Sequence, residues 1–194
     1  WYNKSASYLN GLDSADLNRQ IFTFNALKDQ AEREGEVLIA SFYEFEVKRL
    51  RDLQAAAENY HSDKISTEEF YSVFCLNFFY DDINMGTENY VLSCFENYLG
   101  RLPTQDEQNR AIEMVDGFSS SLFLESGNNK LDFVSIIMNS EEFYEYQTRD
   151  VYLQLVGSAI TESELRQFKE RLIAEKDLEL LFADIMISEA YAGF

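Results

Sequence analysis

Residues 95–107 read Phe-Glu-Asn-Tyr-Leu-Gly-Arg-Leu-Pro-Thr-Gln-Asp-Glu, and residues 152–164 read Tyr-Leu-Gln-Leu-Val-Gly-Ser-Ala-Ile-Thr-Glu-Ser-Glu. At an offset of 57, Phe95, Tyr98, Leu99, Gly100, Thr104 and Glu107 fall on Tyr152, Leu155, Val156, Gly157, Thr161 and Glu164. Further on, at an offset of 48, Val134, Ile137, Met138, Ser140, Glu141 and Phe143 fall on Phe182, Ile185, Met186, Ser188, Glu189 and Tyr191. The difference between the offsets lies in residues 117–129, a Ser-, Gly- and Asn-rich insertion in the first copy. That composition predicts a surface loop, where added length costs little.

Each copy follows one physical grammar. A helix ends at a glycine, which adopts the left-handed conformation that closes helices. A threonine then caps the next helix, and a glutamate three residues later completes the capping box. A third helix with an apolar face follows and stops at Ser-Glu. The matched residues are boundary devices and core positions, not reactive groups. Tandem units of this kind bury their faces against each other. The reading is an all-α helical bundle of about 8–10 helices with a tandem duplicated three-helix unit. Residues 1–86 form an N-terminal helical region. Residues 87–194 form the duplicated unit, with copies at about 90–146 and 147–194 sharing one core.

Composition agrees. Of 194 residues, one is proline and eight are glycine, too few for the many turns of a β-sandwich or barrel. Hydrophobic residues make up 46% and charged residues 26%, a globular balance that disfavours disorder. The net charge of −19 argues against a nucleic-acid partner, because phosphate backbones are met with Lys and Arg. The densest basic cluster is Lys48-Arg49-Leu50-Arg51. Such acidity keeps a chain dispersed in solution, and it also suits recruitment of cations or basic partners. No run approaches the roughly 18 apolar residues of a membrane span. The start at Trp1, with neither Met nor signal peptide, reads as the trimmed or processed part of a longer product.

Upstream of the duplication, Asp13 or Ser14 caps a helix with Leu17, Ile21, Phe24, Leu27 and Ala31 at steps of three and four, stopped by Gly35. A second helix over 36–60 places Leu38, Phe42, Phe45, Leu53 and Ala56 along one side. After the break at residues 61–64, Ser66 and Glu69 form a capping box. The helix they open carries Phe70, Tyr71, Phe74, Phe78, Phe79 and Tyr80, which are either buried on nearly all sides or an exposed face awaiting a partner. A polar turn at Asp81-Asp82-Ile83-Asn84 follows, and Thr87 caps the next helix. Thr67-Glu68-Glu69-Phe70-Tyr71 echoes Ser140-Glu141-Glu142-Phe143-Tyr144 and reads as the tail of a third, degenerate unit. Cys75 and Cys94 lie in apolar helical stretches, and buried thiols are favoured over a disulfide.

The pattern of helix, Tyr98-Leu99-Gly100-Arg101-Leu102-Pro103-Thr104, two helices and Ser140-Glu141-Glu142-Phe143-Tyr144 resembles a family of bacterial helical domains that recur in secreted and surface proteins. It is also similar in pattern to the phycobilisome linker domain. The resemblance covers residues 90–194. The second copy departs from it, since Gly157-Ser158-Ala159-Ile160-Thr161 lacks the Arg and the Pro. What the resemblance implies is an extracytoplasmic, non-enzymatic module; it transfers no catalytic residue.

Two segments mimic calcium loops. Counting back from Glu69 at loop position twelve puts Ile65 at eight and Glu58, Tyr60, Ser62 and Asp63 at one, three, five and six, where tyrosine is a poor ligand and glycine belongs at six. Residues 127–133 would put Leu124 at position one and Ser135 at twelve, failing both anchors. His61, the single histidine, has no second ligand at metal spacing. Neither Gly-x-Ser-x-Gly nor a phosphate-binding glycine loop occurs. Pairs of acids such as Asp81 and Asp82 could hydrolyse glycosides, yet capping and solvation explain them more simply. No catalytic residue, cofactor or metal is assigned.

The leading expectation is therefore a non-catalytic interaction or structural module of a bacterial cell-surface or secreted protein, holding a protein or glycan partner. Tyr43, Tyr71, Tyr80, Tyr144 and Tyr146 fall outside the core periodicity and are the candidate partner-binding surface. The rival expectation is a helical enzyme or small-ligand binder with a carboxylate-lined pocket. A third is cation binding by the acidic surface.

Overall fold

A computed structural model describes residues 12–192. The chain is 76% helical, with eleven helices and one short hairpin among the described residues. In order these are α1 (Ser14–Glu34), α2 (Val37–His61), α3 (Thr67–Cys75), α4 (Phe78–Ile83), α5 (Thr87–Leu99), α6 (Gln105–Val115), β1 (Ser120–Leu122), β2 (Glu125–Gly127), α7 (Lys130–Asn139), α8 (Glu141–Val156), α9 (Glu162–Glu175), α10 (Leu178–Met186) and α11 (Glu189–Ala192). The all-α reading holds. Two compact units form, residues 12–65 with 70–86, and residues 66–69 with 87–192.

In the first unit, Asp13 caps α1 through the backbone amides of Ala15 and Asp16 at 2.8 and 3.0 Å. Gly35, at φ 76°, reverses the chain into α2. Phe24, Val47 and Leu50 form the buried centre, with Leu17, Ile21, Tyr43 and Phe78 packed against it. The stripe expected along α2 divides in two. Leu53 and Ala56 are buried, but Leu38, Phe42 and Phe45 are exposed, and Ala40, Val47 and Leu50 face the core instead. Three consecutive apolar residues, Val37 to Ile39, blur the helical period there and hide which side is covered.

The aromatic run is two helices, not one, and the helix count rises above the expected range accordingly. Asn77 makes the break. Its side-chain amide donates to the carbonyls of Val73 and Phe74 at the end of α3, both at 2.9 Å. Its side-chain oxygen accepts from the amides of Phe79 and Tyr80 at 3.0 and 3.2 Å, opening α4. One buried side chain thus closes one helix and starts the next. Asp81 and Asp82 consequently lie within α4 and not in a turn.

In the second unit, α8 is the central helix, packed against α5, α7, α9, α10 and α11. Phe95, Tyr98, Phe133, Ile137, Phe143, Val151 and Leu172 are all buried. The expected boundary devices appear at both positions. Gly100 and Gly157 are left-handed at φ 69° and 73°. Thr104 and Thr161 each cap a helix within a full capping box, with Glu107 and Glu164 respectively. Ser140 and Ser188 each donate to a carbonyl three residues back, of Ile137 and Ile185, at 2.7 Å. Thr87, by contrast, is the first residue of α5, and its hydroxyl donates to Asp116 Oδ1 at 2.5 Å.

The insertion at 117–129 is not a plain loop. It folds as an antiparallel hairpin in which Ser120 pairs with Gly127 and Leu122 with Glu125. Its turn residues, Phe123 and Leu124, have φ of 52° and 69°. Positive φ at both central positions follows the right-handed twist of the strands, although Asn and Gly usually supply it. Leu122, buried, anchors the hairpin. A Cβ on Gly127 would stand 2.5 Å from Asp132 Cβ and 2.8 Å from Met114 Sδ, so only glycine lets β2 lie this close.

Candidate functional site

Each of the five tyrosines is placed by the packing of its own unit. Tyr71, Tyr80 and Tyr144 are buried. Tyr43 is half-buried, with its ring 5.6 Å from that of Phe24. Tyr146 is half-buried with its ring over Gly100, where a Cβ would strike Cε2. Burial corrects Tyr71, Tyr80 and Tyr144 as candidates for contact with a partner, while Tyr43 and Tyr146 keep part of their surface in solvent.

The charged residues of the repeated frames are likewise occupied. Arg101 donates Nη1 and Nη2 to the two carboxylate oxygens of Glu107 at 2.8 and 2.7 Å. Through Nε and Nη2 it also grips Glu142 Oε2 at 3.0 and 2.7 Å. Its guanidinium lies 5.3 Å from the centre of the Phe95 ring. The Arg101 hydrogen bonds, then those from Thr104, hold the Glu107 carboxyl at about 2. Ser158 stands 57 residues on from Arg101, just after Gly157. There Arg149 pairs with Glu145 and Glu162 at 3.0 and 3.2 Å instead.

A second polar cluster joins buried Glu68, Thr67 and Tyr144 to the exposed Lys176. Glu68 Oε1 accepts from the Tyr144 hydroxyl and meets Lys176 Nζ at 3.1 Å. Thr67 Oγ1 donates to the Lys176 carbonyl at 2.5 Å, fixing that residue at φ 54°. Burial alone would raise the Glu68 carboxyl, but hydrogen bonds from Ser66, Tyr144 and Lys176 outweigh it and lower it. Burial, then Glu68, pushes the Tyr144 hydroxyl up. Glu68 and Glu107 are therefore both held ionised, whereas a general acid working near neutrality needs a raised carboxyl. Both act as anchors.

The calcium mimics are helix starts. Glu69 Oε2 accepts from the Ser66 amide at 2.8 Å and Ser66 Oγ from the Glu69 amide at 3.2 Å, the predicted capping box. In the second, Asp132 Oδ2 accepts from the Asn128 amide and Asn129 Nδ2 at 2.9 and 2.8 Å. Among the described residues no group of three or more His, Cys, Asp or Glu is placed to hold a metal ion. His61 ends α2, and Cys75 and Cys94 are both buried.

Alongside a groove of about 550 Å³ between α1 and α2, open concave surface lies on both sides of the hairpin. On one side, a cleft of about 610 Å³ is lined by Arg110, Glu113, Ser120, Ser121, Ser126 and Asp132. On the other, a groove of about 580 Å³ has Phe123 and Ile136 as its apolar lining and Glu125, Glu141 and Glu142 as its carboxylates. Glu141 is paired with Lys169 at 2.5 Å and Glu142 with Arg101. Glu125 takes part in no ion pair among the described residues. Sequence reasoning missed this groove because it depends on the hairpin, and Phe-Leu at a turn carries no turn signal.

No protein-family model matches the chain, and comparison with curated proteins and with solved structures finds no match either. No helix among the described residues is long and apolar enough to cross a membrane.

Proposed function

We propose that this chain is a non-catalytic interaction module of a bacterial cell-surface or secreted protein, and that the groove between β2 and α7–α8 receives a cationic segment of a protein partner. The observation that carries the reading is the lining of that groove: Phe123 and Ile136 give an apolar floor, and Glu125 offers a carboxylate not already spent on the fold. A Lys or Arg side chain suits both, with its methylene stem on the floor and its charge at the rim. The chain's net charge of −19 favours encounter with such a partner. The envelope setting rests on the family resemblance of residues 90–194. The tandem duplication is part of the same proposal; it is supported by the matching caps at Gly100 and Gly157, Thr104 and Thr161, and Ser140 and Ser188.

A glycan partner is the second reading, favoured by the four serine hydroxyls, Arg110 and two carboxylates of the neighbouring cleft. Affinity capture from bacterial envelope extracts separates the two. The intact chain, Glu125→Lys and Ser120→Ala/Ser121→Ala are compared, with retained species identified by mass spectrometry. A protein retained by the wild type and lost with Glu125→Lys supports the protein reading. Retention unaffected by Glu125→Lys overturns it, and loss of a glycan with the serine variant establishes the alternative.

A further inference from the structure

Three carboxylates line the groove beside the hairpin, and the chain's own cations hold two of them. Glu141 meets Lys169 Nζ at 2.5 Å, and Glu142 Oε2 accepts from Arg101 Nε and Nη2 at 3.0 and 2.7 Å. Glu125 takes part in no ion pair among the described residues. A cationic segment entering the groove therefore meets one open acid and two occupied ones.

The two arms of Arg101 are unequal. Toward Glu107 it makes a forked contact to both carboxylate oxygens, at 2.8 and 2.7 Å, and that side chain is 20% exposed. Toward Glu142 both bonds end on one oxygen, and the side chain is 48% exposed. A forked arginine–carboxylate pair is the strong kind, whereas an exposed pair contributes little and exchanges readily. Glu142 is the arm that yields. Giving it up leaves Arg101 in place on Glu107, on the Leu102 carbonyl at 3.1 Å and over the Phe95 ring. The Phe95 ring also lies 6.1 Å from that of Phe123, so the guanidinium and the groove floor share one aromatic support.

Resting on the reading that this groove receives a cationic segment, we infer that Arg101 is a built-in competitor of the partner: it holds Glu142 until a second cation of the segment takes that carboxylate over. The partner class narrows to a segment with at least two basic residues, one for Glu125 and one for Glu142. Linkage between the two contacts is reciprocal, so removing the competitor strengthens the partner by as much as the partner weakens the hold of Arg101 on Glu142.

Fluorescein-labelled tetralysine, titrated with the full chain in about 0.15 M salt and read by anisotropy, tests the inference. Far-UV circular dichroism confirms that each variant keeps its helix content. Arg101→Met should tighten binding about two- to five-fold beyond the effect of Arg166→Met, which removes the same charge from an exposed site on α9. Adding Glu142→Gln to Arg101→Met should abolish that excess. In the wild type, the Arg101 Nε–H resonance, which reports the bond to Glu142, should shift as tetralysine is added. No excess over Arg166→Met, an excess that survives Glu142→Gln, or an Arg101 resonance unmoved at saturation overturns the inference, and loss of binding with Glu125→Lys then leaves the groove reading standing. Binding unchanged by Glu125→Lys overturns the groove reading and this inference with it.

Discussion

Arg101 and Glu107 form a two-pronged ion pair, Nη1 to Oε2 at 2.8 Å and Nη2 to Oε1 at 2.7 Å, while the same carboxylate accepts from the Thr104 amide at 2.7 Å. The pair ties the left-handed turn after α5 to the first turn of α6. Folding favours ionised Glu107, whose carboxyl falls from 4.5 to about 2. Its stabilisation is complete above pH 4.5 and is lost as pH falls from there towards 2. After allowance for solvent screening the contribution is about 1–2 kcal/mol. Thermal melts should show this acid limb in the wild type, and Arg101→Met should both lower the neutral-pH stability by that amount and flatten the limb.

Gly100 and Gly157 occupy equivalent backbone conformations but unequal surroundings. Both have positive φ, while only at Gly100 would a Cβ strike a neighbour, the Tyr146 ring. Gly157→Ala should cost about 1–2 kcal/mol from backbone strain alone. Gly100→Ala should cost about 1–3 kcal/mol more through overpacking, and Tyr146→Ala in the same chain should recover part of that excess. Denaturant midpoints of the four proteins check the order.

These two glycines also show how much of the structure the sequence disclosed. The positions of Gly100, Thr104, Ser140, Gly157 and Thr161 announced helix ends because caps act locally, through backbone groups a few residues away. Asn77 carried the same kind of signal, a capping residue inside an apolar run, but the unbroken aromatics around it masked the break. The burial of Tyr71, Tyr80 and Tyr144 was missed for a different reason. Whether Tyr71 or Tyr144 faces solvent depends on which helices cover it, and a single chain's periodicity does not contain that information. The groove beside the hairpin was illegible on both counts: it requires left-handed Phe123 and Leu124, and the burial of the neighbouring Leu122 depends on how the chain packs.

That hairpin turn makes its own prediction. Leu124 is fully exposed and left-handed at φ 69°, so its side chain contributes strain without packing. Leu124→Asn should raise stability by about 0.5–1 kcal/mol, since asparagine tolerates this conformation. A rise in melting temperature checks it; a fall would mean that Leu124 contacts something in the folded state.

Glu68 and Tyr144 are buried partners far apart in sequence. Tyr144→Phe and Glu68→Gln should each destabilise by about 1–3 kcal/mol, with the double variant costing less than their sum. A double-mutant cycle by urea unfolding gives the coupling directly. Strict additivity would remove the hydrogen bond from the account.

The central claim is the proposed division of labour, in which boundary residues hold the helices and the groove beside the hairpin would meet the partner. Its most direct test measures unfolding free energy and partner capture together for Thr161→Ala and Glu125→Lys. Thr161→Ala should lose about 1 kcal/mol of stability, the usual cost of an N-cap, and retain the partner. Glu125→Lys should keep its stability and lose the partner. Loss of capture with Thr161→Ala at unchanged stability, or full capture by a folded Glu125→Lys, would contradict the account.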